Sequence, residues 1–330
     1  ARPHQLALLE KFVYGRRLPA VPVTVVGDVE QEDVTLPDDV AARRLQVRLR
    51  LGEAADAKVV EVLVYLPRAA GPVPVFLGLN FHGNQAQHAD PGIWLSKAWI
   101  RQTPEAGIVD HAATDASRGR TASRFPASSM LARGYGMATA CYGDFFPDRP
   151  DGRPQSVLPS LGRPADGDLP ADEPGAIGVW AWGLSRILDW LATRPEVDAR
   201  RVVVYGHSRL GKAALWAGAC DERFALVVSN ESGCGGAAIE RRNYGETVAV
   251  ITRSFPHWFC PAFATFAGRE AELPVDAHVL LAMAAPRPLY VASAIEDRWA
   301  DPKGEFLSAV AAEPAWKPFD LVGLGTVHWQ

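Results

Sequence analysis

Residues 204–212 read V-Y-G-H-S-R-L-G-K, a serine set between a histidine and an arginine, after an apolar run and before small residues. A serine hydroxyl becomes a nucleophile when a sharp strand-to-helix turn lifts its Oγ above a sheet, with glycines where bulkier neighbours would clash. The helix N-terminus behind such a serine also favours developing negative charge. Gly206 holds the first glycine position, Leu210 stands where the second is usual, and Gly211 follows one residue later. On this pattern alone, Ser208 is either a nucleophile or the apex of a tight turn. His207 is the nearest candidate base, but adjacent side chains in such a turn diverge, and the base approaches from a later strand. His207 is therefore expected beneath the turn, as buried scaffold.

Two later stretches offer carboxylates. F-A-L-V-V-S-N-E-S-G-C-G-G (224–236) reads as a strand running out into a loop that carries Glu231. P-L-Y-V-A-S-A-I-E-D-R-W-A-D-P-K (288–303) ends in Glu296 and Asp297, with Trp299 beside them. Active-site loops follow the carboxyl ends of parallel strands, so either acid is placed to orient a histidine. Plainer readings stand beside these: Glu231 as a helix cap, Lys212 and Glu246 as solvated surface charges, Trp299 as rim packing. His82 and His88 have no third ligand at metal spacing, and His257 lies among aromatics, so no metal site and no cofactor are expected.

The elements that must position these residues alternate between strand-like and helix-like runs, which predicts an α/β chain with a largely parallel sheet and helices on both faces. Arg44–Leu51 alternates at period two, as a half-exposed antiparallel edge strand does. Val59–Leu66, Val73–Leu79, Gly136–Cys141, Arg201–Tyr205, Phe224–Ser229 and Pro288–Ser293 read as further strands. Gly178–Ala192 and Gly211–Ala219 carry helical spacing, and 85–121 and 147–174 read as loops or insertions. With 330 residues, 48% of them hydrophobic, one large packed domain over 1–330 is expected. A net charge of −4 gives no electrostatic case for nucleic acid or an anionic membrane, and no apolar run reaches spanning length. The start A-R-P-H-Q-L-A-L-L-E is too polar for a signal peptide and reads as processed or trimmed. Cys141, Cys220, Cys234 and Cys260 make no disulfide framework; buried thiols or one opportunistic bridge are expected.

Six motifs in order carry a resemblance: G-H-S-R-L-G-K, S-N-E-S-G-C-G-G, G-E-T-V, S-F-P-H-W-F-C, A-P-R-P-L-Y-V-A-S-A and E-D-R-W-A-D-P-K-G-E-F. Together they resemble the bacterial glucuronoyl esterases, carbohydrate esterase family 15, from Val59 to Gly325 and most densely in the second half. G-x-S-R-x-G-K is that family's own form of the turn. The resemblance implies an α/β-hydrolase fold, a three-layer sandwich with a mostly parallel central sheet and long loop insertions. It implies a serine esterase cutting the ester between (4-O-methyl-)glucuronic acid of glucuronoxylan and lignin alcohols, secreted or periplasmic, with a monomer expected. Matched position by position, Ser208 is the nucleophile, Arg209 the oxyanion partner and Glu231 the acid. Asp297 matches an acid found at the later strand in some members, and Lys212, Glu246 and Trp299 match residues that grip the uronate.

The family's catalytic histidine follows the last strand. Here His328, in T-V-H-W-Q, is the one histidine in that region, and its context does not match. A C-terminus truncated relative to the family is expected, with the general base unassigned and His328 its tentative substitute. Another carbohydrate or aryl esterase on the same fold, or an impaired domain that only binds glucuronoxylan, are the competing readings.

Overall fold

A computed structural model describes residues 2–36 and 39–321. The chain divides into two compact units: Pro19–Gly167 with Gly183–Val202, and Ala1–Leu18 with Asp168–Trp182 and Val203–Gln330.

The first of these holds β1 (Val23–Val25), β2 (Glu30–Leu36), β3 (Val40–Leu51), β4 (Val59–Pro67) and β5 (Val73–Asn80). A two-residue hairpin follows, β6 (Ile108–Val109) with β7 (Ala112–Ala113), and then β8 (Gly136–Cys141). β1 and β2 both pair antiparallel with β3, β3 with β4, and β4 with β8, while β8 runs parallel to β5. Arg44–Leu51 is thus not an edge strand: it has partners on both sides, and β1 and β2 flank it. Its alternation has a different cause. Leu45, Val47, Leu49 and Leu51 are buried on one face; on the polar face Arg44 and Gln46 are closed off by ions and amides, while Arg48 stays exposed.

Arg44, only 3% exposed, donates to both carboxylate oxygens of Asp90 at 2.7 Å and also to Glu32. Gln46 donates to the Gly92 carbonyl at 2.9 Å and accepts the Trp94 N–H at 2.7 Å. The 85–121 insertion is therefore tied to β3 by polar side chains. Burial would raise the Asp90 carboxyl, but hydrogen bonds from the Tyr65 hydroxyl, Arg44 and the Gly92 N–H outweigh it and hold the group below the usual range.

β9 (Val197–His207) begins in this unit's chain and ends in the other's. Its V-V-V-Y run is buried, as a strand covered on both faces requires. In the second unit, β9 pairs parallel with β10 (Leu226–Asn230), and β10 pairs parallel with β11 (Leu289–Ala292). His207, Asn230 and Ala292 lie side by side in this register. Ser208, Glu231 and Ser293 consequently leave the sheet at one level.

The helix Arg209–Cys220 packs its small face on β10, where a Cβ on Gly218 would overlap Val227. The Arg287 guanidinium donates to the carbonyls of Gly218, Asp221 and Phe224 and so closes the helix C-terminus. The four cysteines are free thiols, three of them buried. No helix among the described residues is long and apolar enough to cross a membrane.

Because Asp90 is held low when folded, its contribution to stability is complete above its unfolded value near 4 and is lost as pH falls through the folded value. Arg44→Met is expected to lower unfolding free energy by about 1–3 kcal/mol, since it takes the cation from a half-buried carboxylate that keeps Tyr65 and Gly92 as donors. Chemical denaturation between pH 7 and pH 2 should also show a shallower acid decline in the variant than in the wild type.

Candidate active site

The serine turn is fixed by contact distances. A Cβ on Gly206 would overlap the Leu210 carbonyl, and one on Gly211 would lie 3.1 Å from the Ser232 Cβ and 3.3 Å from the Asn230 carbonyl. Glycine is needed at 206 because the helix folds back on the strand, and at 211 a side chain would crowd the end of β10 and Ser232. Position 210 makes no such demand of its side chain, and Leu210 turns into the core. Ser208 between them has φ 56° and ψ −128°, a conformation costly to a residue with a Cβ. Its N–H donates to the Asn230 carbonyl at 2.9 Å, and its carbonyl accepts from Gly211 and Lys212 at 2.8 and 3.1 Å.

Arg209, next in the turn, lays its guanidinium over Trp258 at 4.7 Å and Phe255 at 5.6 Å from the ring centroids. The two rings are themselves stacked, 3.8 Å apart and 4° from parallel. Stacking on an aromatic platform fixes the plane of the guanidinium.

Lys212 and Glu246 are not the solvated surface charges of the plainer reading. Lys212 is 2% exposed; its Nζ donates to the Ser232 carbonyl at 2.5 Å and to Glu246 Oε2 at 3.3 Å. The Glu246 N–H donates to the Trp299 carbonyl at 2.9 Å. Gly245, left-handed at φ 66°, lies against the same turn, where a Cβ would come within 2.6 Å of that carbonyl. This contact brings the Trp299 backbone beside Glu246, and the residue is 54% exposed.

Glu231 also has a left-handed backbone, φ 48°. Its N–H donates to the Ala292 carbonyl at 2.8 Å, and its Oε1 accepts the Ala294 N–H at 3.2 Å. His207 is not buried beneath the turn: its side chain is one-third exposed. The ring Nδ1 lies 2.7 Å from Asn230 Oδ1 and 3.5 Å from Glu231 Oε2. Asp297 stands in the turn after β11, where its N–H donates to the Ala294 carbonyl at 3.0 Å and its Oδ1 accepts the Ala300 N–H at 3.4 Å. His328 lies outside the described residues. Among those described, no group of three or more His, Cys, Asp or Glu is arranged to hold a metal ion.

Sequence reading missed the supports. Glu305, quoted within the last motif but given no role, is wholly buried and bonded to Ser232, Gly233 and Ser293. Burial pushes its carboxyl up against the lowering effect of those donors and of Lys212. Glu240 and Asp276 are a second buried carboxyl pair under the same loop. The Phe255–Trp258 platform was also overlooked, although F-P-H-W-F is plainly aromatic.

The family described as "Glucuronyl esterase, fungi" matches residues 170–320. Carbohydrate esterase MZ0003, from an unknown prokaryotic organism, is 44% identical over 324 residues, 98% of this chain and 74% of its own. A promiscuous CE15 esterase from a marine bacterial metagenome superposes with a TM-score of 0.90 at 42% identity, covering 100% of this chain and 82% of that one. The 4-O-methyl-glucuronoyl methylesterase of Phanerochaete carnosa aligns over a shorter stretch, 36% identical over 151 residues, 43% of this chain and 37% of its own length. The fold is accordingly that of the α/β-hydrolases. Identity this high along nearly the whole chain decides what the turn geometry alone left open: the protein belongs to the glucuronoyl esterases of carbohydrate esterase family 15, which are carboxylic ester hydrolases.

Proposed function

We propose that the protein hydrolyses the ester between (4-O-methyl-)glucuronic acid of glucuronoxylan and lignin alcohols, through an acyl-enzyme on Ser208. The observation that carries this reading is the strained Ser208 turn, with Arg209 beside it and the buried Lys212–Glu246 pair one helical turn on. Ser208 Oγ attacks the ester carbonyl carbon and gives its proton to a histidine base. The oxyanion so formed is met by Arg209 and by the helix N-terminus. Collapse expels the alcohol, which takes the proton from the base, and water then releases the uronate by the same steps in turn.

Lys212 Nζ has three donors, of which Ser232 and Glu246 take two. The third, with the other Glu246 oxygen, suits the hydroxyls of the uronate ring, and Trp299 offers that ring a flat face. Glu231 is the better acid of the two candidates. It leaves the sheet level with Ser208 and is held in a strained backbone, whereas Asp297 lies in a turn beyond the end of β11. The base would be a histidine from beyond the last strand, with His328 the sequence candidate; His207, 3.5 Å from Glu231 Oε2, neighbours the acid from within the serine turn. A polymeric substrate that cannot enter a cell requires a secreted or periplasmic enzyme, acting here as a monomer.

Turnover of benzyl glucuronate, acetylated xylan and p-nitrophenyl acetate tests the substrate. Benzyl glucuronate should be cleaved best, and Ser208→Ala should lose roughly 10^6-fold in kcat while still binding glucuronic acid. Cleavage of acetyl esters alone would support the broader esterase, in keeping with the promiscuous relative. Binding of glucuronoxylan without turnover would support the impaired domain. His328→Ala with unchanged turnover would remove that residue as base.

Lys212→Met is expected to raise KM for the glucuronate ester more than it lowers kcat. It should also cost about 3–5 kcal/mol of stability, because it strands Glu246. Glu246→Gln, which keeps an acceptor for Lys212, should be milder on stability; equal losses in the two variants would sink the assignment of a working ion pair.

A further inference from the structure

Two segments set the position of Glu231. One is the loop it opens, residues 231–236; the other is the turn after β11, whose Ala294 N–H donates to Glu231 Oε1. One buried carboxyl holds both. Glu305 projects from the helix Pro302–Ala312 with no exposed surface. Its Oε1 accepts the Gly233 N–H at 2.8 Å and the Ser232 hydroxyl at 3.3 Å, and its Oε2 accepts the Ser293 hydroxyl. Gly233 lies two residues after Glu231, and Ser293 directly precedes Ala294.

The loop needs an outside tether. Glu231, Gly233 and Gly235 are all left-handed, with φ of 48°, 59° and 66°, an alternation that neither helix nor strand can propagate. Two of its amides find carboxylates in place of backbone partners: Gly233 N–H goes to Glu305, and Gly235 N–H to Glu240. Ser232 extends the first tether inward. Its Oγ lies 2.8 Å from the Ser229 hydroxyl and accepts the Ala237 N–H at 2.9 Å, while its carbonyl receives Lys212 Nζ. A carboxyl kept out of water in this way is costly unless its bonds are needed.

We infer that Glu305 is a positioning residue for Glu231: by fastening Ser232–Gly233 and Ser293 to one rigid helix, it fixes the Glu231 carboxylate at the level of Ser208. The inference rests on the reading of Glu231 as the acid. Glu305→Gln keeps the carbonyl oxygen for Gly233 and Ser232 and turns its amide toward Ser293, whose hydroxyl then accepts. Glu305→Ala removes every tether.

The test combines crystal structures with a kinetic cycle. In Glu305→Ala, Glu231 Oε1 should leave the Ala294 N–H, and kcat should fall by on the order of 100-fold with KM little changed. Glu305→Gln should restore the contact and most of the rate. Should the alanine variant fail to fold, Ser293→Ala, which cuts only the tether to the β11 turn, should shift the Glu231 carboxylate by itself. In a Glu231→Ala background, Glu305→Ala should cost no further activity. The inference is overturned if the Glu231 carboxylate keeps its place in the alanine variants, or if the Glu305 loss is the same in both backgrounds. If Glu231→Ala alone leaves kcat intact, the assignment of the acid fails, and the crystal structures still decide whether Glu305 holds the loop.

Discussion

The lack of space between β9 and the helix Arg209–Cys220 governs the site. The chain reverses from strand to helix over Gly206–Gly211, with the Leu210 carbonyl against Gly206 and β10's last residues against Gly211. A side chain is excluded at Gly206 and would crowd the neighbours of Gly211, and Ser208, at φ 56°, absorbs the reversal. The strain is maintained by what surrounds it: the Asn230 carbonyl on the Ser208 N–H and a helix whose far end is closed by Arg287. The same compression sets the depth of Lys212. One helical turn past the serine, it is carried under the loop after β10, where water is excluded and a partner for its charge is obligatory.

That partner is divided. Lys212 faces one carboxylate, Glu246, and one carbonyl, Ser232, each from a different loop. A buried ion pair is weak evidence of stability but strong evidence of fixed geometry, because neither charge can wander without exposing the other unpaired. Arg209 shows the contrasting solution. Its guanidinium rests on stacked Phe255 and Trp258, which fix its plane. One cation is held by a carboxylate and a carbonyl and the other by aromatic faces, although both stand within four residues of the serine.

Much of the frame was legible in the sequence, because buried parallel strands declare themselves as β-branched runs: V-V-V-Y and L-V-V-S fall where strands are found. The alternation in Arg44–Leu51 was legible too, but not its cause. Period two reports two unlike faces, and whether the polar face meets water or a buried Asp90 depends on an insertion with no strong pattern of its own. Glycine spacing carried real information at Gly206 and Gly211, since it records where backbones touch. Lys212 and Glu246 looked like surface residues for the opposite reason: 34 positions separate them, and nothing local marks a charge as buried. Glu305 was invisible on the same ground. Its partners Ser232, Gly233 and Ser293 are small residues that any loop might hold.

The carboxyls beneath the loop after β10 do not behave alike, and the differences follow from their donors. Glu246 has a cation, Lys212. Glu305 has hydroxyls and one amide, and burial raises it. Glu240 is raised further: burial and the neighbouring Asp276 both oppose its charge, while Gly235 and Ala277 donate to its oxygens. Burial acts on Asp276 in the same sense, but the Glu240 carboxyl, two backbone amides and Arg241 outweigh it and keep Asp276 charged. A site that must stabilise a transient anion gains nothing from extra negative charge nearby. Burial and Asp276 weigh against charge on Glu240, and its bonds from Gly235 and Ala277 are what hold the loop.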